Sequence, residues 1–346
     1  MKAKRCSNIE LLRVIAMCMI IGLHFFSYCK MADADIASAP KGNMFYHIAE
    51  SLCICGVNLF VLITGYFSVN HDVLKLRKIA NLFIDVAFWG SIGFILSYVF
   101  GWEAASLKRY IQIVIPYLWG YRWFVTAYII LLLLIPYINK CLQNISREGH
   151  RILLIIFTIL FCIWPSFLPS PPVDNFGYGF VHFVYLYIIA SYIKIYVNKY
   201  PLPSLCLVLY VVFTFSIYIL VHFHIVNTGW AYNNLFVVLQ SVSLFLCFVR
   251  INIDSKVINI LASCTFGIFL IHTDSFWGKL IYGYVFQSKN AILSGDYVFM
   301  TIIFISCIIS FYIMAFALEY IKQFVFRHTV DRLLSKNKTL NKRISI

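Results

Sequence analysis

The chain is poor in charge. Only 12% of its 346 residues are Asp, Glu, Lys or Arg, while 62% are hydrophobic. An ordinary soluble domain carries about 25% charge, so that class is excluded. Acid is scarcer than base, with 14 Asp and Glu against 28 Lys and Arg and a formal net charge of +14. In a soluble chain that excess would suggest nucleic acid. Here the basic residues stand between long apolar runs and read as loop charge that orients a membrane protein, so no nucleic-acid partner is expected.

Several chemistries have no motif to carry them. The sequence contains no H-x-x-x-H pair and no Cys/His spacing of the zinc kind, so no metal site is expected. A P-loop, a G-x-S-x-G elbow and a Rossmann fingerprint are also missing. The 11 cysteines lie mostly inside apolar runs (Cys18, Cys53, Cys55, Cys162, Cys247, Cys264, Cys307) and form no disulfide framework. Arg13 interrupts what would otherwise pass for a signal-peptide core, so the first helix is expected to remain in the mature protein.

What the chain has in abundance is apolar runs. Ten are bounded by polar or Pro/Gly breaks: about 9–28, 44–68, 79–100, 123–138, 152–168, 179–197, 202–222, 232–249, 257–277 and 297–326. Each approaches the roughly 20 residues needed to cross a bilayer as a helix. The stretch 106–122 is apolar but carries Lys108, Arg109, Pro116 and Arg122, and reads as an interfacial or re-entrant segment. With the N-terminus inside, 21 of the 28 basic residues fall on the inner side, as the positive-inside rule requires. The expectation is an all-α polytopic membrane protein of about ten transmembrane helices with both termini cytoplasmic. One integral-membrane domain over 1–328 would be followed by a basic cytoplasmic tail at 329–346.

Three ionisable residues, Glu10, Arg13 and His24, interrupt the first run. Each charge costs about 2.5–3.5 kcal/mol at a helix centre on insertion scales. Eleven positions separate Arg13 from His24, which puts them ~20° apart on one helix face with ~16 Å of rise between them. One use of these groups is structural: Arg13 snorkels and pairs with Glu10 at i, i+3, and His24 bonds a neighbouring helix. The other is chemical. His272 lies as far into the ninth run as His24 lies into the first, so the two imidazoles should share a depth. Six of the nine histidines (24, 47, 182, 222, 224 and 272) fall toward the outer ends of their helices, with Glu50 about two turns into the second helix. An outward-opening polar chamber is the expectation, with His182, His222 and His224 structural. Outer aromatics (Trp102, Tyr121, Trp123, Trp230, Tyr232, Trp277) read first as an interfacial belt and second as a sugar-stacking surface.

The chain resembles the membrane acyltransferase-3 proteins, which modify bacterial surface glycans and related acceptors. The resemblance rests on Glu10-Leu11-Leu12-Arg13 followed by His24, on Gly56 to Phe67 ending in Thr64-Gly65-Tyr66, on Trp123-Phe124 leading into Pro136, and on Gly267 to His272. Two positions depart from the family pattern: Thr64 stands where Ser is usual, and Asn58 where an acid or Pro is often found. The resemblance implies transfer of an acyl group, expected to be acetyl, from cytoplasmic acyl-CoA to a hydroxyl, or less readily an amine, of a surface polysaccharide or lipid-linked saccharide. Acetyl-CoA would be the donor substrate, with no bound cofactor, and the protein would sit in the cytoplasmic membrane as a multi-pass enzyme. His24 would be general base or acyl relay, with Arg13, Glu10 and His272 beside it. Arg13, Lys75, Arg77, Lys78 and Thr64 would hold the donor, and Glu50, Trp123 and His47 the acceptor. The alternative is a saccharide or lipid transporter or flippase, which ten helices with a polar interior also describe.

Overall fold

A computed structural model describes residues 5–29, 39–70, 73–116, 122–168, 174–226, 228–337 and 343–345. Nearly everything in it is helix. The order is α1 (Ser7–Cys29), α2 (Pro40–Cys53), α3 (Gly56–Ser68), β1 (Val73–Lys75), α4 (Leu76–Val99), α5 (Leu107–Val114), α6 (Trp123–Gln143), α7 (Arg147–Phe167), α8 (Phe180–Tyr196), α9 (Pro203–His222) and α10 (Leu235–Arg250). It continues with α11 (Lys256–Ser263), α12 (Thr265–His272), α13 (Ser275–Gly278), α14 (Ser288–Leu293), α15 (Tyr297–His328), α16 (Val330–Lys336) and β2 (Arg343–Ser345).

The chain is an all-α polytopic membrane protein. Among the described residues seven helices are long and apolar enough to cross a bilayer: α1, α2–α3 as one 29-residue unit, α4, α6, α7, α9 and α15. The apolar helices α8 and α10 are shorter. Such chains must satisfy every backbone group internally, which is why the sequence collapses into helices almost everywhere. The expected straight helix over 257–277 is in fact broken. α11 ends at Ser263, α12 starts at Thr265, and a π-helical stretch over Lys279–Val285 follows α13. The intervening Cys264 keeps right-handed helical dihedrals, so the chain direction is only partly disturbed. α7 contains a second π-helical turn, Ile159–Ile163, just ahead of Pro165. Proline offers no N–H and its ring crowds the carbonyl four residues back, and widening the helix there relieves both.

α1 is the central post, packed against α2, α3, α10, α11, α12, α14 and α15. Gly56 lets α3 come close to it: a Cβ there would meet the Ala16 carbonyl at 3.0 Å. α9 lies at the rim, with Leu205, Val208, Val212 and Phe215 exposed. A rim that is apolar all round suits hydrocarbon rather than water. α5, capped by Ser106, packs on α4 within the stretch expected to be interfacial. In the basic tail, β2 pairs antiparallel with β1, setting Val73 opposite Ser345.

Candidate active site

α1 and α12 bring two imidazoles together. The rings of His24 and His272 meet edge to face with centroids 4.9 Å apart, at the shared depth the sequence suggests. Each ring is held by its own helix: Nδ1 of His24 lies 2.9 Å from the Ile20 carbonyl, and Nδ1 of His272 lies 2.8 Å from the Ile268 carbonyl. A carbonyl oxygen only accepts, so Nδ1 must carry the proton in both, and in the neutral ring Nε2 is left as a lone-pair base. His272 is fully buried and its Nε2 has no hydrogen-bond partner among the described residues.

Two cavities meet on this helix pair. One, of about 270 Å³, has Arg13, Thr64, Ser68, Lys78 and Tyr128 in its wall. The other, of about 390 Å³, has His24, Ser27, Glu50, Arg122, Trp123 and Tyr232 in its wall. Ile20, Phe124 and Phe269 belong to both walls. Arg13 and His24 thus face different chambers of one system, which follows from their eleven-residue separation on one helix face.

In the Arg13 cavity the guanidinium lies 3.3 Å from Glu10, the i, i+3 pair foreseen from spacing, and Glu10 itself is not in the wall. Thr64 Oγ1 donates to the Phe60 carbonyl at 2.9 Å and lies 3.2 Å from the Tyr128 hydroxyl. Lys78 is in this wall, whereas Arg77 is not, and Lys75 belongs to β1. In the His24 cavity, Glu50 Oε2 is buried without a hydrogen-bond partner among the described residues. Beside it the rings of Trp123, Tyr178 and Tyr232 form a cluster with centroid separations of 4.5 to 5.5 Å. Trp123, Trp230 and Tyr232 are therefore cavity walls rather than members of a lipid-facing belt; Tyr121 lies outside the described residues. His47 stands apart from this wall, its Nδ1 3.2 Å from that of His222 and its ring against Trp230.

The comparison with known families decides the class. The sequence model of the acyltransferase-3 family, described as an acyltransferase domain, matches residues 7–323. The chain belongs to the acyltransferase-3 family. Neither a curated protein nor a solved structure matches it significantly. As an acyltransferase-3 protein it is a membrane acyltransferase that uses an acyl donor.

Other polar groups of this acyltransferase-3 chain are visible only in three dimensions. Arg122, which reads in sequence as a loop charge, is buried at the N-terminus of α6. It donates to Asp274 at 3.4 Å and to the Leu270 carbonyl at 3.2 Å, tying the His24 cavity to the end of α12. Lys322 lies near the inner end of the last apolar run and counts in sequence among the inner-side basic residues. Its side chain is 4% exposed and bonds Asp85 at 2.6 Å and Glu319 at 3.0 Å. Glu319 further accepts from Trp89 Nε1 at 2.8 Å and Gln323 Nε2 at 2.9 Å, while Gln323 also donates to the Ser263 carbonyl at the α11–α12 break. Two acids and a lysine inside apolar runs were the available signal, since such residues are costly unless paired. Asn58 donates to the Tyr232 carbonyl at 2.9 Å and accepts from His182 Nε2 at 3.0 Å. An amide can do both, whereas a carboxylate only accepts. That accounts for Asn at this departure from the family pattern.

Proposed function

We propose that this protein moves an acyl group, acetyl in the first instance, from acyl-CoA to a hydroxyl of a surface polysaccharide or lipid-linked saccharide, in the cytoplasmic membrane. The observation that carries the reading is the pair of abutting cavities, with a guanidinium in one and an Nδ1-tethered imidazole in the other. Arg13 and Lys78 offer charge-assisted donors for the phosphates of the donor's head, which enters from the cytoplasmic side. Its pantetheine arm is thin and largely uncharged, fit to run past Ile20, Phe124 and Phe269. In the His24 cavity the Trp123–Tyr178–Tyr232 cluster supplies faces for a sugar ring, and Glu50 supplies a carboxyl group for its hydroxyls.

The chemistry follows from the tautomer. His24 Nε2 takes the proton of the acceptor hydroxyl as its oxygen bonds to the thioester carbonyl carbon. The tetrahedral adduct collapses with cleavage of the carbon–sulfur bond, and the imidazolium returns the proton to the leaving thiolate. His272 lies in neither cavity wall and acts through His24 as a positioning residue: its ring backs the imidazole that the Ile20 carbonyl orients.

The test is transfer of label from acetyl-CoA to envelope glycan by the purified protein in lipid, with mass spectrometry of the glycan from cells with and without the gene. Label that moves with wild-type protein and not with His24→Ala supports the reading. Glycan that crosses the membrane unlabelled would favour the transporter alternative.

A further inference from the structure

Between the two cavities stand three apolar side chains from three helices: Ile20 of α1, Phe124 of α6 and Phe269 of α12. They are at most 8% exposed. Phe124 and Phe269 lie at 5.0 Å between centroids. Phe124 cannot easily swing aside, because Tyr128 stacks on it at 5.7 Å and Phe183 meets it edge-on at 5.6 Å. Tyr128 is in turn held by Thr64. Phe269 is one helical turn before His272, whose ring it touches at 5.6 Å. The backbone carbonyl of Ile20 holds the His24 imidazole. Ile20 and Phe269 therefore sit on the same turns of α1 and α12 that carry the two histidines, with Phe124 of α6 packed against Phe269.

We propose that Ile20, Phe124 and Phe269 form a collar that selects the acyl group by length, with Phe269 the principal determinant. This rests on the reading that the donor enters through the Arg13 cavity. With the thioester carbonyl at His24, the acyl chain must occupy the space between the collar and the acceptor. On this reading the methyl of an acetyl group lies beside Phe269. Each further methylene must displace that ring or intrude on the sugar site. Pockets that discriminate by one methylene do so by roughly 10- to 200-fold, so a collar of this kind favours acetyl strongly over butyryl. Polar groups line both cavities but not the collar, which suits passage of a neutral arm while the charged head stays at Arg13.

The experiment compares acetyl-, butyryl- and octanoyl-CoA as donors for wild type, Phe269→Ala, Phe124→Ala and the milder Phe269→Leu. It reads the butyryl-to-acetyl ratio of label incorporation, together with the melting-temperature shift each thioester gives the purified protein. Wild type should prefer acetyl by at least about tenfold. Phe269→Ala should raise the ratio by about tenfold, with Phe269→Leu between the two. Thermal stabilisation by free CoA should stay as in wild type, while that by butyryl-CoA increases. A ratio unmoved in Phe269→Leu and in whichever alanine variant retains transfer overturns the collar. So does a wild type that uses all three donors equally. A wild type that is neither stabilised by any CoA species nor able to transfer from one overturns the donor reading itself.

Discussion

Gly267 and Glu319 share one place in the fold: a Cβ on residue 267 would fall on the Glu319 carboxylate. The glycine in the Gly267 to His272 segment is there for close approach, letting a charged side chain from α15 lie against the backbone of α12 three residues before the Thr265–His272 helix completes its next turn toward Leu270. Gly267→Ala is expected to destabilise the protein by about 1–3 kcal/mol, the usual cost of overpacking. It should also lower transfer, because α12 carries His272. Melting curves in detergent check this against Gly283→Ala, whose added methyl meets nothing within 4 Å and should leave the melting temperature near wild type.

His24→Ala should reduce transfer by ~10² to 10⁴, the typical contribution of general-base catalysis, without loss of expression or membrane insertion. His222→Ala, which removes a ring stacked on Tyr218 and paired with His47, should change the rate little. His272→Ala should fall between them, and the double variant His24→Ala/His272→Ala should be no worse than His24→Ala alone. Additive losses would mean that His272 has a role independent of His24.

Arg13→Lys keeps the charge and loses the planar fork. The expected result is a rise of about tenfold in the KM for acetyl-CoA with a smaller change in kcat, as for loss of one charge-assisted hydrogen bond. If Arg13 serves only to pair with Glu10 3.3 Å away, Lys will substitute for it and the donor titration will superimpose on wild type.

Asp174 provides a pH test outside the membrane-spanning helices. Its carboxylate accepts from the His182 backbone N–H at 3.1 Å and from Asn233 at 3.4 Å, yet burial pushes its pKa up from 3.8 to about 7. Because the folded value is raised, the stabilising contribution is complete below about 3.8 and is lost as pH rises through about 7. The melting temperature of wild type relative to Asp174→Asn should therefore fall over that interval. A difference independent of pH would show that Asp174 does not titrate in the fold.

Much of the architecture was legible because apolar length and helical periodicity are local properties. Equal distances from helix starts placed His24 and His272 at one depth, and i, i+3 spacing paired Glu10 with Arg13. The break at Ser263 was not legible, since no Pro or Gly marks it and its carbonyl is satisfied by Gln323, 60 residues away. Nor was the burial of Arg122: a cation at a run's edge looks the same whether it meets water or an acid from another helix. For Lys322 the acids and the lysine inside apolar runs signal a buried pairing but not which residues meet. His47 looked like a chamber residue because depth alone was known, and depth does not give azimuth. The collar depends on three helices and had no signature along the chain.

The Asp85–Lys322 pair also bears on how the protein is made. The two residues are 237 positions apart, so α4 leaves the ribosome long before α15 exists. Until α15 arrives, the Asp85 carboxylate in α4 lacks its contact with the Lys322 ammonium, and an ionised group inside an apolar helix seats less favourably in lipid without it. Stable seating of α4 is thus expected to be a late event that waits for the last long helix. A chain ending before Tyr297 should leave a cysteine placed at Ile84 open to a water-soluble thiol reagent, and the complete chain should protect it. Equal protection in both would mean that α4 seats alone. Protection only in the complete chain would make the final helix a checkpoint on assembly: an interrupted chain would retain a segment lacking its Lys322 contact and available to quality control, and only the finished one would close it.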